Sequence, residues 1–203
     1  MKLPEIKIFY SRLIDPFFVG YNKHYLNNDW DKWVPPTQEE ILIKTKKLRE
    51  EWGQYEEKIL TAICNVTELK FKRNIIDVHI VSGSPRDMSN PLIISAHNSI
   101  ENFINTLTHE LIHKLFSDNK INKNIFMNMF PSETKITQNH IMLHAILKHV
   151  YIDILKNESK LKDNLEKSRK HPNNDYLKAW EIVEEKGYLN LIEEFKKTTR
   201  LNN

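Results

Sequence analysis

Apolar side chains recur at helical spacing between residues 37 and 66, as Ile41, Leu48, Trp52, Tyr55, Ile59 and Ile63. Thr37 followed by Glu40 makes a capping box in front of them, so the pattern predicts one helix from about Thr37 to Val66 with the stripe packed in the core. The period then changes. Ile75–Val81 is a β-branched run closed by Ser82-Gly83-Ser84-Pro85, which predicts a strand, and Pro91–Ala96 predicts a second, shorter one. The second strand leads directly into another helical pattern, where a free strand edge would border a cleft and pair with an extended peptide. Asn98 with Glu101 resembles a capping box for that helix, which runs through Phe116. Ile100, Phe103, Ile104, Leu107, Leu111 and Leu115 form its apolar face.

The ends of the chain are less regular. An apolar run at Ile6–Tyr10 precedes an aromatic-rich stretch from Phe17 to Trp33, and Pro35-Pro36 ends that segment. Residues 117–131 read as a polar loop closed by Pro131, followed by a helix from about Ser132 to Leu155. Lys160–Lys170 is charged and solvated. Asn173–Lys186 and Tyr188–Lys197 read as two final helices, with Gly187 as an αL cap between them. The sum is an α+β, predominantly helical fold in a single domain, 1–203. It comprises an N-terminal helical segment (1–70), strands and central helices (71–156) and C-terminal helices (157–203).

Composition narrows the function classes. A net charge of +3 is a small basic excess, and the clusters Lys44, Lys46, Lys47, Arg49 and Lys70, Lys72, Arg73 read as solvated faces rather than a nucleic-acid footprint. Cys64 is the only cysteine, which rules out an internal disulfide and suits a reducing compartment. No stretch approaches a membrane span and the first residues are polar, so the expected location is cytoplasmic with no membrane partner.

One pentapeptide outweighs these features. Residues 109–113 read His-Glu-Leu-Ile-His, a pattern that chance places in roughly one such chain in thirty. On a helix His109 and His113 stand one turn apart on one face, where both imidazoles reach a single metal ion. Glu110 lies beside them and can take a proton from water without occupying a coordination position. All three fall on a polar stripe with Asn102 and Thr106, away from the apolar face. This is the arrangement that zinc-dependent peptide hydrolysis requires, with Zn²⁺ as cofactor and a peptide or protein as substrate.

A catalytic zinc takes three protein ligands and keeps one position open. Phe116 and Asn119 stand where the extended metzincin pattern needs glycine and histidine, so the third ligand lies further on. The next helix offers His140, His144 and His149. Its apolar stripe is Ile136, Leu143, Leu147, Val150 and Ile154; His140 falls at the centre, His144 on the flank beside Tyr151, and His149 on the opposite side with Asp153. A ligand must face inward, so His140 leads, His144 follows and His149 drops out. Glu133, just after Pro131-Ser132, is a rival that also suits the first turn of a helix.

The His-Glu-Leu-Ile-His motif resembles that of the zincin superfamily, and Asn139-His140-Ile141-Met142-Leu143-His144 resembles a variant of the gluzincin pattern Asn-Glu-x-x-x-Asp. In that pattern the glutamate is the third zinc ligand and the aspartate supports a ligand histidine. The resemblance therefore implies a ligand role for His140 and a supporting role for His144, with histidine replacing both acids. It also implies a zincin-like core with a small sheet packed on the motif helix. Lys114 departs from the pattern, which favours an uncharged residue after the second histidine. The resemblance covers residues 92–150. Tyr151, His144 and His171 are each candidates to stabilise the oxyanion. The competing readings are a non-proteolytic or single-partner regulatory protein that keeps the metal site, and, third, a nucleic-acid-associated protein.

Overall fold

The computed structural model describes residues 2–25, 33–121 and 123–201; Trp30 of the aromatic-rich stretch lies outside them. The fold is α+β and predominantly helical, with a small mixed sheet. Among the described residues no helix is long and apolar enough to cross a membrane. Two compact units divide the chain: residues 1–57 with 73–111, and residues 58–72 with 112–203.

The first unit holds the four-stranded sheet, ordered β1-β2-β4-β3. β1 (Glu5–Tyr10) runs parallel to β2 (Ile75–Val81), and β2 runs parallel to β4 (Leu92–Ser95). β3 (Met88–Ser89) closes the far side antiparallel to β4, with Met88 opposite Ile93. The strand predicted at 75–81 forms with those bounds. β4 differs from expectation, because it has a strand on each side, β3 covering Leu92 and Ile93 where a free edge was expected. Its four residues are all buried, the continuous apolar run of an interior strand rather than the alternation of an edge.

Helix α1 (Asp15–Tyr25) is tied to the sheet by its first residue. The Asp15 carboxylate is buried and accepts from the Ser82 amide (2.7 Å), the Ser82 hydroxyl (2.8 Å) and the Gly83 amide (3.1 Å). Gly83 has to be glycine here, since a Cβ would lie 2.5 Å from the Val19 nitrogen. Helix α2 (Gln38–Gly53) opens with the predicted capping box, Thr37 and Glu40 each bonding the other's backbone amide. Arg49 on α2 is committed to the sheet, donating to the Ile8 carbonyl at 2.7 Å. The single helix expected over 37–66 stops at Gly53, and α3 (Glu56–Thr67) is a separate element. Glycine is the weakest helix former after proline, and the break falls on it.

The second unit is helical. Helix α6 (Lys135–His149) is its centre and packs on α5 (Lys123–Met129), α8 (Asp175–Lys186) and α9 (Tyr188–Leu201). Residues Ile141–Leu147 are buried without interruption, so α6 is buried on every side instead of along one stripe. Ile136 and Ile154, at the ends of the predicted stripe, are exposed. The expected helix over 132–155 is capped by Thr134 and passes into a π-helical turn at Val150–Ile154. α5 occupies the segment expected to be a loop, and α7 (Glu158–Lys170) the segment expected to be merely solvated. Gly187 does part the last two helices, with a positive φ of 78° but an extended ψ of 124° rather than an αL cap.

Candidate metal centre

The motif sits in helix α4 (Ile100–Asp118), which begins one residue later than a cap at Asn98 would place it. Ser99, not Asn98, caps it, its hydroxyl accepting from the Asn102 amide at 3.2 Å. Asn98 is used elsewhere, donating to Asp87 and to the Ser95 carbonyl, while Asp87 also accepts the Ser95 amide at 2.8 Å. The apolar face behaves as predicted along most of its length. Phe103, Ile104, Leu107, Leu111 and Leu115 are fully buried, and only Ile100 is exposed. That burial orients the opposite stripe, where Glu110 is buried and His109 and His113 are half-buried.

Helix α6 supplies the third imidazole. One ring nitrogen from each of His109, His113 and His140 lies within 4.8 Å of the others. The rings of His113 and His140 are 5.3 Å apart between centres and nearly perpendicular, at 85°. Two imidazoles sharing one tetrahedral ion at a nitrogen distance of about 2.05 Å hold their ring centres about 5 Å apart, so this pair is already spaced to share one. The same geometry asks for ligand nitrogens about 3.3 Å apart, and the three here lie within 4.8 Å of one another.

The proton on His140 is placed by its backbone. Nδ1 lies 2.7 Å from the Ile136 carbonyl oxygen, which can only accept, so Nδ1 carries the hydrogen and Nε2 keeps its lone pair. A second bond of this kind fixes the ring orientation of metal-ligating histidines generally. Burial drives His113 and His140 toward the neutral form that ligation needs. His113 is lowered to about 3 by burial, with the proximity of His140 adding to it. His140 is lowered by burial, against the opposing pull of the Ile136 carbonyl and Asp175. The fit to a metal ion therefore rests on the donor set, the ring spacing and the His140 tautomer.

The other sequence candidates fall outside this group. His144 is fully buried and stacked on Trp180, with ring centres 4.3 Å apart and an interplanar angle of 11°. Its Nδ1 has no hydrogen-bond partner among the described residues, and burial holds it well below the usual histidine range. Its ring centre lies 5.7 Å from that of His140, whose Nδ1–H donates to the Ile136 carbonyl rather than to His144. Glu133 precedes the Thr134 cap and stands outside the histidine group. His149 turns away and pairs with Asp153 at 2.8 Å. Of the oxyanion candidates, Tyr151 is fully buried and His171 is exposed.

Sequence reasoning missed the aromatic wall on α8. Tyr176 packs its ring 4.5 Å from His140 and 4.4 Å from His171, and Trp180 backs His144. The available signal was the four-residue spacing of Tyr176 and Trp180, which matches that of His140 and His144. Asp175 docks the two helix starts, accepting from the hydroxyls of Thr134 (2.8 Å) and Thr137 (3.0 Å). Lys114, the departure after the second histidine, forms a buried ion pair with Asp118, which also accepts the Lys72 amide at 3.2 Å. Comparison with known proteins finds no family model, no curated protein and no solved structure that matches this chain.

Proposed function

We propose that the chain is a zinc-dependent peptidase whose metal is held by His109, His113 and His140, with Glu110 as general base. The observation that carries this reading is the convergence of three imidazoles from two helices, one of them locked in the ligating tautomer by its own backbone. Three neutral nitrogen donors suit Zn²⁺, and a set of three leaves a position open for water or substrate. A bound zinc would acidify water to a pKa of about 7 and polarise the scissile carbonyl.

The remaining work falls to the protein. Glu110 sits one residue from His109 on the same helix, outside the ligand set, and takes the proton of the attacking water. It then returns that proton to the leaving amine. Glu110 is itself buried, and the fully buried face of α4 supports the turn that carries it and His109. Cys64 is buried and free, which agrees with the reducing cytoplasm we assign to the protein.

The test is Glu110→Gln, assayed beside the wild type on a mixed peptide library with and without a chelator. The variant should keep its zinc and lose about 100-fold or more of the turnover. Undiminished hydrolysis by Glu110→Gln would overturn the mechanism. Hydrolysis unaffected by chelation would overturn the metal dependence itself.

A further inference from the structure

A second site lies in the sheet-bearing unit, at the start of α2. A cavity of about 490 Å³ opens there, within the range of small-molecule sites. Trp33, Pro35, Ile41 and Ala96 give it apolar walls, and His97 packs edge-on against Trp33 with ring centres 5.5 Å apart. Two charged side chains also line it, Glu40 and Lys44.

Their pairing is unusual. Glu and Lys four residues apart in this order are the favourable arrangement for a helix ion pair. Here the pair is not made, because Glu40 turns back to the capping box, its Oε2 accepting from the Thr37 amide at 2.7 Å and hydroxyl at 2.8 Å. Those bonds hold Glu40 ionised, lowering its pKa. Lys44 is left half-buried with no carboxylate partner among the described residues, and burial lowers its pKa as well. A partly desolvated ammonium without a counter-ion is an electrostatic vacancy that an anion from solution would fill. A simple anion would also meet the Glu40 carboxylate, one helical turn away. A ligand carrying both charges satisfies both walls.

We propose that this cavity binds a small zwitterion with a flat apolar body, of the aromatic amino-acid class. The carboxylate faces Lys44, the ammonium faces Glu40, and the ring lies among Trp33, Pro35 and Ile41. The two charged side chains stand one helical turn apart, about 5–6 Å between Cβ atoms, which suits groups on a single α-carbon. Trp33 and His97 contribute aromatic contact to the ring.

The experiment is isothermal titration of the full chain with L-phenylalanine, N-acetyl-L-phenylalanine and phenethylamine. L-phenylalanine should bind, and each analogue lacking one charge should bind about tenfold more weakly or worse. Lys44→Met keeps the apolar stem and should lose about tenfold or more of the L-phenylalanine affinity, with an unchanged melting temperature showing an intact fold. Lack of binding of L-phenylalanine up to about 5 mM would overturn the proposal, as would equal binding of all three ligands or full affinity in Lys44→Met.

Discussion

Acid should destabilise the metal-free protein through its own histidine cluster. The folded-state pKa of His113 is lowered to about 3 from an ordinary value of 6.5. Its imidazole is neutral when folded and charges readily when unfolded, so below pH 6.5 the unfolded chain binds more protons. The contribution is therefore intact above that pH and is lost progressively as pH falls toward 3. Between pH 7.5 and 5 the shift corresponds to about 2 kcal/mol, and the partial exposure of His113 screens it to about 1 kcal/mol. His140 and His144 are shifted in the same direction, so the wild type as a whole should lose more than that. Urea unfolding of the chelated protein at the two pH values measures the loss, and His113→Gln should reduce it by about 1 kcal/mol. A wild type equally stable at both pH values would refute the reasoning. So would a His113→Gln variant with the same pH dependence as the wild type.

Two further substitutions test how the sheet is held, and a third on α2 serves as their control. Asp15→Ala removes the acceptor of three donors on Ser82 and Gly83, all buried, and should cost about 3 kcal/mol in urea unfolding; a loss under about 1 kcal/mol would contradict the anchor. Gly83→Ala places a Cβ 2.5 Å from the Val19 nitrogen and should destabilise by about 2 kcal/mol or more. Gly53→Ala meets nothing within 4 Å and should be neutral or stabilise by up to about 1 kcal/mol, so equal losses at the two glycines would remove the packing explanation.

What was legible in the sequence was local. The Thr37–Glu40 box, the bounds of β2 and the apolar face of α4 from Phe103 to Leu115 each depend on residues within a turn or two of one another, and each forms as read. His140 was singled out by the incomplete His-Glu-Leu-Ile-His site upstream and the zincin resemblance as much as by its place on α6, and its nitrogen does lie near those of His109 and His113. The misreadings come from competition over longer range. Asn98 has the chemistry of a cap, but Asp87 claims its side chain, and Ser99 takes the role. β4 resembled an edge strand because nothing in sequence announces the two-residue β3 that covers it. The wall of Tyr176 and Trp180 depends on Asp175 docking α8 onto the start of α6, a contact between residues about forty apart. A helix buried on all sides also carries no moment to read, which is why Ile136 and Ile154 were misplaced in the core.

The central claim is that one metal ion bridges α4 and α6. Elemental analysis of the purified protein tests it most directly, with His109→Ala and His140→Ala as controls and circular dichroism to confirm their folds. The account predicts about one equivalent of zinc in the wild type and little in either variant. A wild type that neither carries zinc nor takes it up on dialysis would contradict it, and full zinc in a folded His140→Ala would remove α6 from the site.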